Sequence, residues 1–345
     1  MSPQFVDFNG DGHLDIVAGI FDGSPHVALG DGTHWQQPHT ILDKAGERVV
    51  LNSYWDFTKK QWVKTDRCDP EGGAPAEGHL TSAIAMDWDH DGDFDLVLGD
   101  HKSGYVYLRR NEGSNQAPLF ALRNELVTAD GKAIHDPGTI ANVRAIDWNN
   151  DGQLDLMVSG MGDPYGADTG GGVAVYLNQA DSSDRSTQLG AAISLIPNSK
   201  KVQTPEPSRP DVGLHPEAVD FDGDGDLDLI VGGYSQWTPA GPELNAEQTA
   251  ELAAMRAQLE AVTKQSEALY AIIKAGTKGL DAEAYTKKYA EIYDSQRDQH
   301  AAIAKQRQEL SKSIDALAPL PKRVSFTWLY ENLTVSATEK STGQR

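Results

Sequence analysis

Asp7-Phe-Asn-Gly-Asp-Gly-His-Leu-Asp15 returns three times along the chain, as Asp87-Trp-Asp-His-Asp-Gly-Asp-Phe-Asp95, Asp147-Trp-Asn-Asn-Asp-Gly-Gln-Leu-Asp155 and Asp220-Phe-Asp-Gly-Asp-Gly-Asp-Leu-Asp228. Positions 1, 3 and 5 of each nine-residue window carry side-chain oxygens: Asp7, Asn9, Asp11; Asp87, Asp89, Asp91; Asp147, Asn149, Asp151; and Asp220, Asp222, Asp224. Position 6 is always Gly, the residue that turns sharply without a Cβ penalty. Position 7 varies (His13, Asp93, Gln153, Asp226), as expected where only a backbone carbonyl faces a ligand, and position 9 is always Asp (Asp15, Asp95, Asp155, Asp228). A hard cation such as Ca2+ takes about six to eight oxygens from a compact loop of this kind. An isolated stretch of Asp, Asn and Gly is as well read as a solvated turn, but four copies with the same positions held and the same positions free make a metal site the better reading. The expectation is about four Ca2+ sites. The second and fourth loops, with five carboxylates each, should bind more tightly than the first and third, because affinity follows ligand charge.

Position 2 is always aromatic (Phe8, Trp88, Trp148, Phe221) and position 8 always large and apolar (Leu14, Phe94, Leu154, Leu227), so each loop also carries anchors for a core. Short apolar or alternating runs flank every loop, such as Ala83-Ile-Ala-Met86 before the second and Leu96-Val-Leu-Gly99 after it, and they read as strands joined by the loop. A third strand follows in the first three repeats, at His26–Leu29, Tyr105–Asn111 and Val173–Asn178, whereas in the fourth its counterpart waits until Val324–Asn332.

The intervening stretch is an insertion. A helix is expected to start near Asn245, with Leu252, Met255, Leu259, Val262, Ser266, Leu269 and Ile273 spaced as a heptad seam. Ala275–Gly279 breaks it, and a second helix is expected from about Asp281 to Leu317, making an antiparallel hairpin expected to be a spacer or stiff decoration, or else an arm for self-association or partner docking. The expected organisation is therefore 1–241 for the repeats, 242–321 for the hairpin, and 322–345 for the closing strand and tail. Repeats of several short strands each, arranged radially, make an all-β propeller; about 265 residues outside the insertion suffice for four blades, and the expectation is that these either close by themselves or belong to a larger ring, of which the chain is a part or a mature fragment.

The Asp-x-Asp/Asn-x-Asp-Gly-x-Leu/Phe-Asp loops, together with Tyr105-Val-Tyr-Leu-Arg-Arg-Asn-Glu-Gly113 and Ala117-Pro-Leu-Phe120, resemble the FG-GAP or VCBS repeat, whose calcium-binding blades occur in integrin α-chain heads and in exported bacterial proteins. The resemblance extends over nearly everything outside the helical insertion. It implies a calcium-stapled propeller working outside the cell, in the periplasm or on the cell surface, where millimolar calcium fills such sites. Met1-Ser-Pro leads straight into the first expected strand, so no signal peptide is expected within these residues.

The formal charge of −21 argues against nucleic acid and anionic lipid as partners, although sixteen of the acidic residues lie in the four loops and four divalent cations would cancel eight charges. No apolar run reaches the length of a membrane span. Cys68 stands alone, so no internal disulfide is expected. No nucleophile or phosphate-loop motif is present. His79, Asn142, Arg144 and His215-Pro216, placed just before the first strands, are the one constellation that would suit a polysaccharide lyase, with a His base and an Arg against an acidic sugar. The leading expectation is a binding or adhesion scaffold for a protein or carbohydrate ligand rather than an enzyme; the alternatives are that lyase and a self-assembling surface or filament subunit.

Overall fold

The computed structural model describes residues 3–65, 79–136, 139–162, 170–180, 186–198 and 206–333; Cys68 and the tail from 334 lie outside them. The chain lays down one antiparallel sheet per acidic loop. The first is β1 (Gln4–Val6), β2 (Asp15–Gly19), β3 (Pro25–Ala28) and β4 (His39–Thr40), in that order, followed by the separate hairpin β5 (Ser53–Asp56) and β6 (Gln61–Lys64). The second is β7 (Leu80–Met86), β8 (Asp95–Asp100), β9 (Val106–Arg109) and β10 (Glu125–Leu126), followed by the hairpin β11 (Thr128–Ala129) and β12 (Lys132–Ala133). The third is β13 (Ala141–Ile146), β14 (Asp155–Gly160), β15 (Val173–Tyr176) and β16 (Ile193–Ile196). The fourth is β17 (Val212–Val219), β18 (Asp228–Trp237) and β19 (Lys322–Tyr330), with the helices α1 (Ala246–Gly276), α2 (Ala282–Ser295) and α3 (Arg297–Leu317) lying between β18 and β19 in sequence. Among the described residues no sheet closes into a barrel.

Each acidic loop joins the first two strands of its sheet, and the register is the same in all four. The residue before position 1 pairs with position 9: Val6 with Asp15, Met86 with Asp95, Ile146 with Asp155 and Val219 with Asp228. The late third strand of the fourth repeat is β19, beside β18 as its sequence position required. The short fourth strands β4 and β10 escape sequence reading because two residues cannot display alternation.

Strand alternation sends neighbouring side chains to opposite faces, and here both faces are used. Ala83, Ala85, Leu96 and Leu98 pack with Val17, Val27 and Phe8 in a core between the first and second sheets. Ile84, Met86 and Val97, on the other face of the second sheet, pack with Val143, Leu156 and Val158 of the third. Met157 and Val173 then pack with Leu214, Leu229 and Val231 of the fourth. Sheets covered on both sides read as continuous apolar runs, and β8 and β14 are buried along their whole length whereas β2 alternates. Arg109 is wholly buried near the first of these cores, its guanidinium donating to the Ala121 and Val50 carbonyls and to the Asn124 side chain at 2.7–3.0 Å.

The described chain divides into two compact units, one holding the sheets and the other, Trp237–Lys322, holding the helices. In the second, Asn245 caps α1 through a reciprocal pair with Gln248, the capping box that satisfies two orphan N–H groups. α1 packs against both other helices. The single helix expected over 281–317 is interrupted at Gln296. The Ser295 hydroxyl donates to the Ile292 carbonyl, and the Gln296 N–H turns to Tyr293 and Asp294, so the regular ladder is lost for one residue.

Candidate metal centres

Backbone geometry builds each acidic loop before any cation is considered. Positions 4 and 6 both lie in the left-handed region: Gly10, His90, Asn150 and Gly223 at position 4 have φ of 70°, 56°, 59° and 81°, and the position 6 glycines have φ of 88° to 96°. Gly, His and Asn are residues that tolerate this region, so the requirement at position 4 was present in the sequence and went unread. The two turns point successive N–H groups inward, onto the position 1 carboxylate. Asp7 accepts from Asp11 and Gly12, Asp147 from Asp151 and Gly152, and Asp87 from Asp91 and Gly92, at 2.9–3.2 Å. In the fourth loop Gly223 takes the place of the position 5 donor to Asp220, at 2.7 Å, and Gly225 donates to the other oxygen.

Position 9 does more than the sequence indicated. One oxygen of Asp15, Asp95, Asp155 or Asp228 accepts the N–H of the position 2 aromatic, and the other accepts an N–H just beyond the third strand, from Gly30, Asn111, Asn178 or Asn332, at 2.6–2.8 Å. All four carboxylates are buried. Each therefore ties loop, second strand and third strand together, while retaining lone pairs for a ligand. The clue to this partner was the Asn that follows the third strand in three of the four repeats.

The donor sets differ between loops. In the second and fourth, one oxygen each from Asp87, Asp89 and Asp91, and from Asp220, Asp222 and Asp224, lie within 4.8 Å of one another, so both clusters can hold a metal ion. In the first and third, the position 3 amide donates into the cluster, Asn9 to Asp11 at 2.9 Å and Asn149 to Asp151 at 2.8 Å, which partly satisfies it without a cation. That bond and the backbone N–H of His13 hold the Asp11 carboxyl below its usual range.

At position 7 the side chains differ from a plain exposed turn in two of the loops. Asp93 and Asp226 were expected to offer only carbonyls, yet Asp93 is 8 % exposed with Oδ1 buried and unpartnered, and both Asp226 oxygens are buried without a donor. A buried acceptor left unpaired costs about 1–3 kcal/mol, more when charged, and a cation removes that cost. Burial, and then the charges of Asp91, Asp89 and Asp87, push the Asp93 carboxyl up to about 6; burial first, with Asp89 adding, pushes Asp95 up to about 7. Partial burial and the charges of Asp224, Asp228 and Asp222 raise Asp226 in the same direction. The second loop also has a neighbour the sequence reading missed: Arg110 bridges Asp89 at 3.1 Å and Glu125 at 2.9 Å.

The other constellation is only partly assembled. Asn142 and His215 lie inside β13 and β17 rather than before them, with the Asn142 amide 3.2 Å from His215 Nδ1, and both line a cavity of about 120 Å3. Arg144 is turned away onto Glu217, at 2.6 and 2.8 Å. His79 instead packs against Trp62 and His101, its ring tilted to both, with centroids 4.6 and 4.3 Å away. The four residues do not converge on one substrate position.

Residues 87–158, from the second acidic loop into the strand that follows the third, match the FG-GAP-like repeat family. No curated protein matches the chain at a significant level. Among the described residues no helix is long and apolar enough to cross a membrane.

Proposed function

We propose that the chain is a calcium-stapled β-propeller scaffold, acting outside the cell to bind or assemble with a protein or carbohydrate partner. The observation that carries this reading is the Asp93 carboxylate, packed away from water with an unpartnered oxygen beside the Asp87, Asp89 and Asp91 cluster. Oxygen-only donors on a short loop suit a hard cation. Side chains at positions 1, 3, 5 and 9, with the position 7 carbonyl, would hold Ca2+ in each loop, and the position 7 carboxylate would join them in the second and fourth. What the ion supplies there is charge neutralisation and a fixed joint between two strands, not reactivity. The match to the FG-GAP-like repeat, whose members resemble exported calcium-binding blades, supports a radial arrangement of the sheets and an extracellular setting. The helical segment 242–321 would be an antiparallel hairpin inserted in the last blade.

Calorimetric titration of chelator-treated protein tests the metal assignment. About four calcium sites are expected, and the paired substitution Asp89→Ala with Asp222→Ala should abolish the two tightest. A flat titration would overturn the assignment.

A further inference from the structure

In every sheet the position 9 carboxylate accepts one N–H from just beyond the third strand, so the residue before that donor is held at a matched place beside each acidic loop. These residues are Leu29, Arg110, Leu177 and Glu331. The place borders the loop. Leu177 lines a cavity together with Asp147 and Asn149 of the third loop, and Arg110 reaches Asp89 of the second at 3.1 Å. The second and fourth loops, equal in carboxylates, therefore carry opposite charges at one matched position.

Position 3 shows what the difference does. In the first and third loops it is Asn, whose amide donates to the position 5 carboxylate. In the second it is Asp89, and the Arg110 guanidinium bonds it while also bonding both oxygens of Glu125 on β10, at 2.9 and 3.3 Å. In the fourth it is Asp222, which accepts only the Asp224 N–H. Among the described residues no basic side chain pairs with Asp220, Asp222 or Asp224. Three loops thus carry part of their own neutralisation, and the fourth carries none.

We propose that Arg110 is a resident counter-ion that lowers the calcium affinity of the second loop, so that the chain fills its fourth loop first and its second only at higher calcium. This rests on the calcium reading above. A divalent cation entering the second loop meets a positive charge already seated on one of its carboxylates. A single and a double charge about 6 Å apart repel, even in water, by enough for about a tenfold loss of affinity. Counting carboxylates alone ranks the two loops alike. The same guanidinium relieves repulsion among the five carboxylates when no cation is bound, so Arg110 stabilises the calcium-free second loop as it weakens the calcium-bound one.

Calorimetric calcium titration of the whole chain, with one loop disabled at a time, tests this. Asp89→Ala should keep the tightest site, and Asp222→Ala should lose it, leaving a tightest remaining site about tenfold weaker. Adding Arg110→Gln to Asp222→Ala should raise that site about tenfold and lower the melting temperature in chelator. Adding Arg110→Lys, which keeps the charge, should raise it far less. Arg110→Gln added to Asp89→Ala should leave the fourth loop unchanged, whereas Glu331→Arg, at an exposed position, should weaken it. If about four sites titrate but Arg110→Gln leaves the second loop unchanged, or acts no differently from Arg110→Lys, the counter-ion role is overturned and the calcium reading stands. A flat titration of the unaltered chain overturns both.

Discussion

Asp228 and Asp222 both belong to the fourth loop, yet they hold different things. Asp228 is buried and accepts the N–H groups of Phe221 and Asn332, whereas Asp222 is exposed and accepts only the N–H of Asp224. Asp228→Ala should cost about 2–3 kcal/mol in urea unfolding even with chelator present, since two backbone donors lose their partner. Asp222→Ala should leave the chelated protein within about 0.5 kcal/mol and reduce only the gain from calcium; equal losses in chelator would contradict the division of roles. His79 offers a second residue-scale test. Burial, then the charges of His101 and Lys102, lower its pKa to about 4. It is neutral in the folded protein, while the unfolded chain takes up a proton near 6.5, so its contribution is full above 6.5 and is lost as pH falls toward 4. His79→Phe keeps a ring against Trp62 and His101 and should flatten the decline of melting temperature across that window. His101 and His215 are lowered in the same direction, so some slope will remain.

At the scale of elements, what matters is how closely one strand approaches the next sheet. A Cβ on Gly99, at the end of the run Leu96–Gly99 in β8, would lie 2.0 Å from the Ala141 carbonyl of β13, whereas on the matched Gly232 of β18 it would meet nothing nearer than 4.0 Å. Gly99→Ala should therefore cost about 1–3 kcal/mol or more through overpacking, and Gly232→Ala should change chemical stability by about 0.5 kcal/mol or less; a tolerated Gly99→Ala would mean the sheets slide apart more easily than their packing implies. The strands flanking each acidic loop were legible, because apolar runs with a metal-type turn between them admit one reading. The start of α1 was legible too, since Asn245 and Gln248 stand three apart. The break at Gln296 was not: Ile292 and Ile303 continue the apolar pattern across it, and only the Ser295 hydroxyl bond shows where the ladder gives way.

For the whole molecule the governing quantity is a formal charge of −21, with sixteen carboxylates gathered in four loops. Salt screens repulsion over about 10 Å at 0.1 M. Chelated protein should consequently melt higher as NaCl rises from about 10 to 200 mM, while calcium-saturated protein should melt higher still and respond less to salt; a melting temperature indifferent to calcium at low salt would contradict the loops as its sites. The loops, the strands beside them and their repetition were legible without the fold, because the spacing of Asp, Asn and Gly and period-two alternation are local properties written into nine to fifteen consecutive residues. It took the folded chain to show that the ninth Asp of each loop also binds an N–H beyond the third strand, that Asp93 Oδ1 and both Asp226 oxygens are buried, and that Phe8 is covered while Phe221 is exposed. Those facts depend on which backbone N–H or which neighbouring sheet arrives from a distant part of the chain, and Phe8 and Phe221 read alike until one is found covered and the other bare.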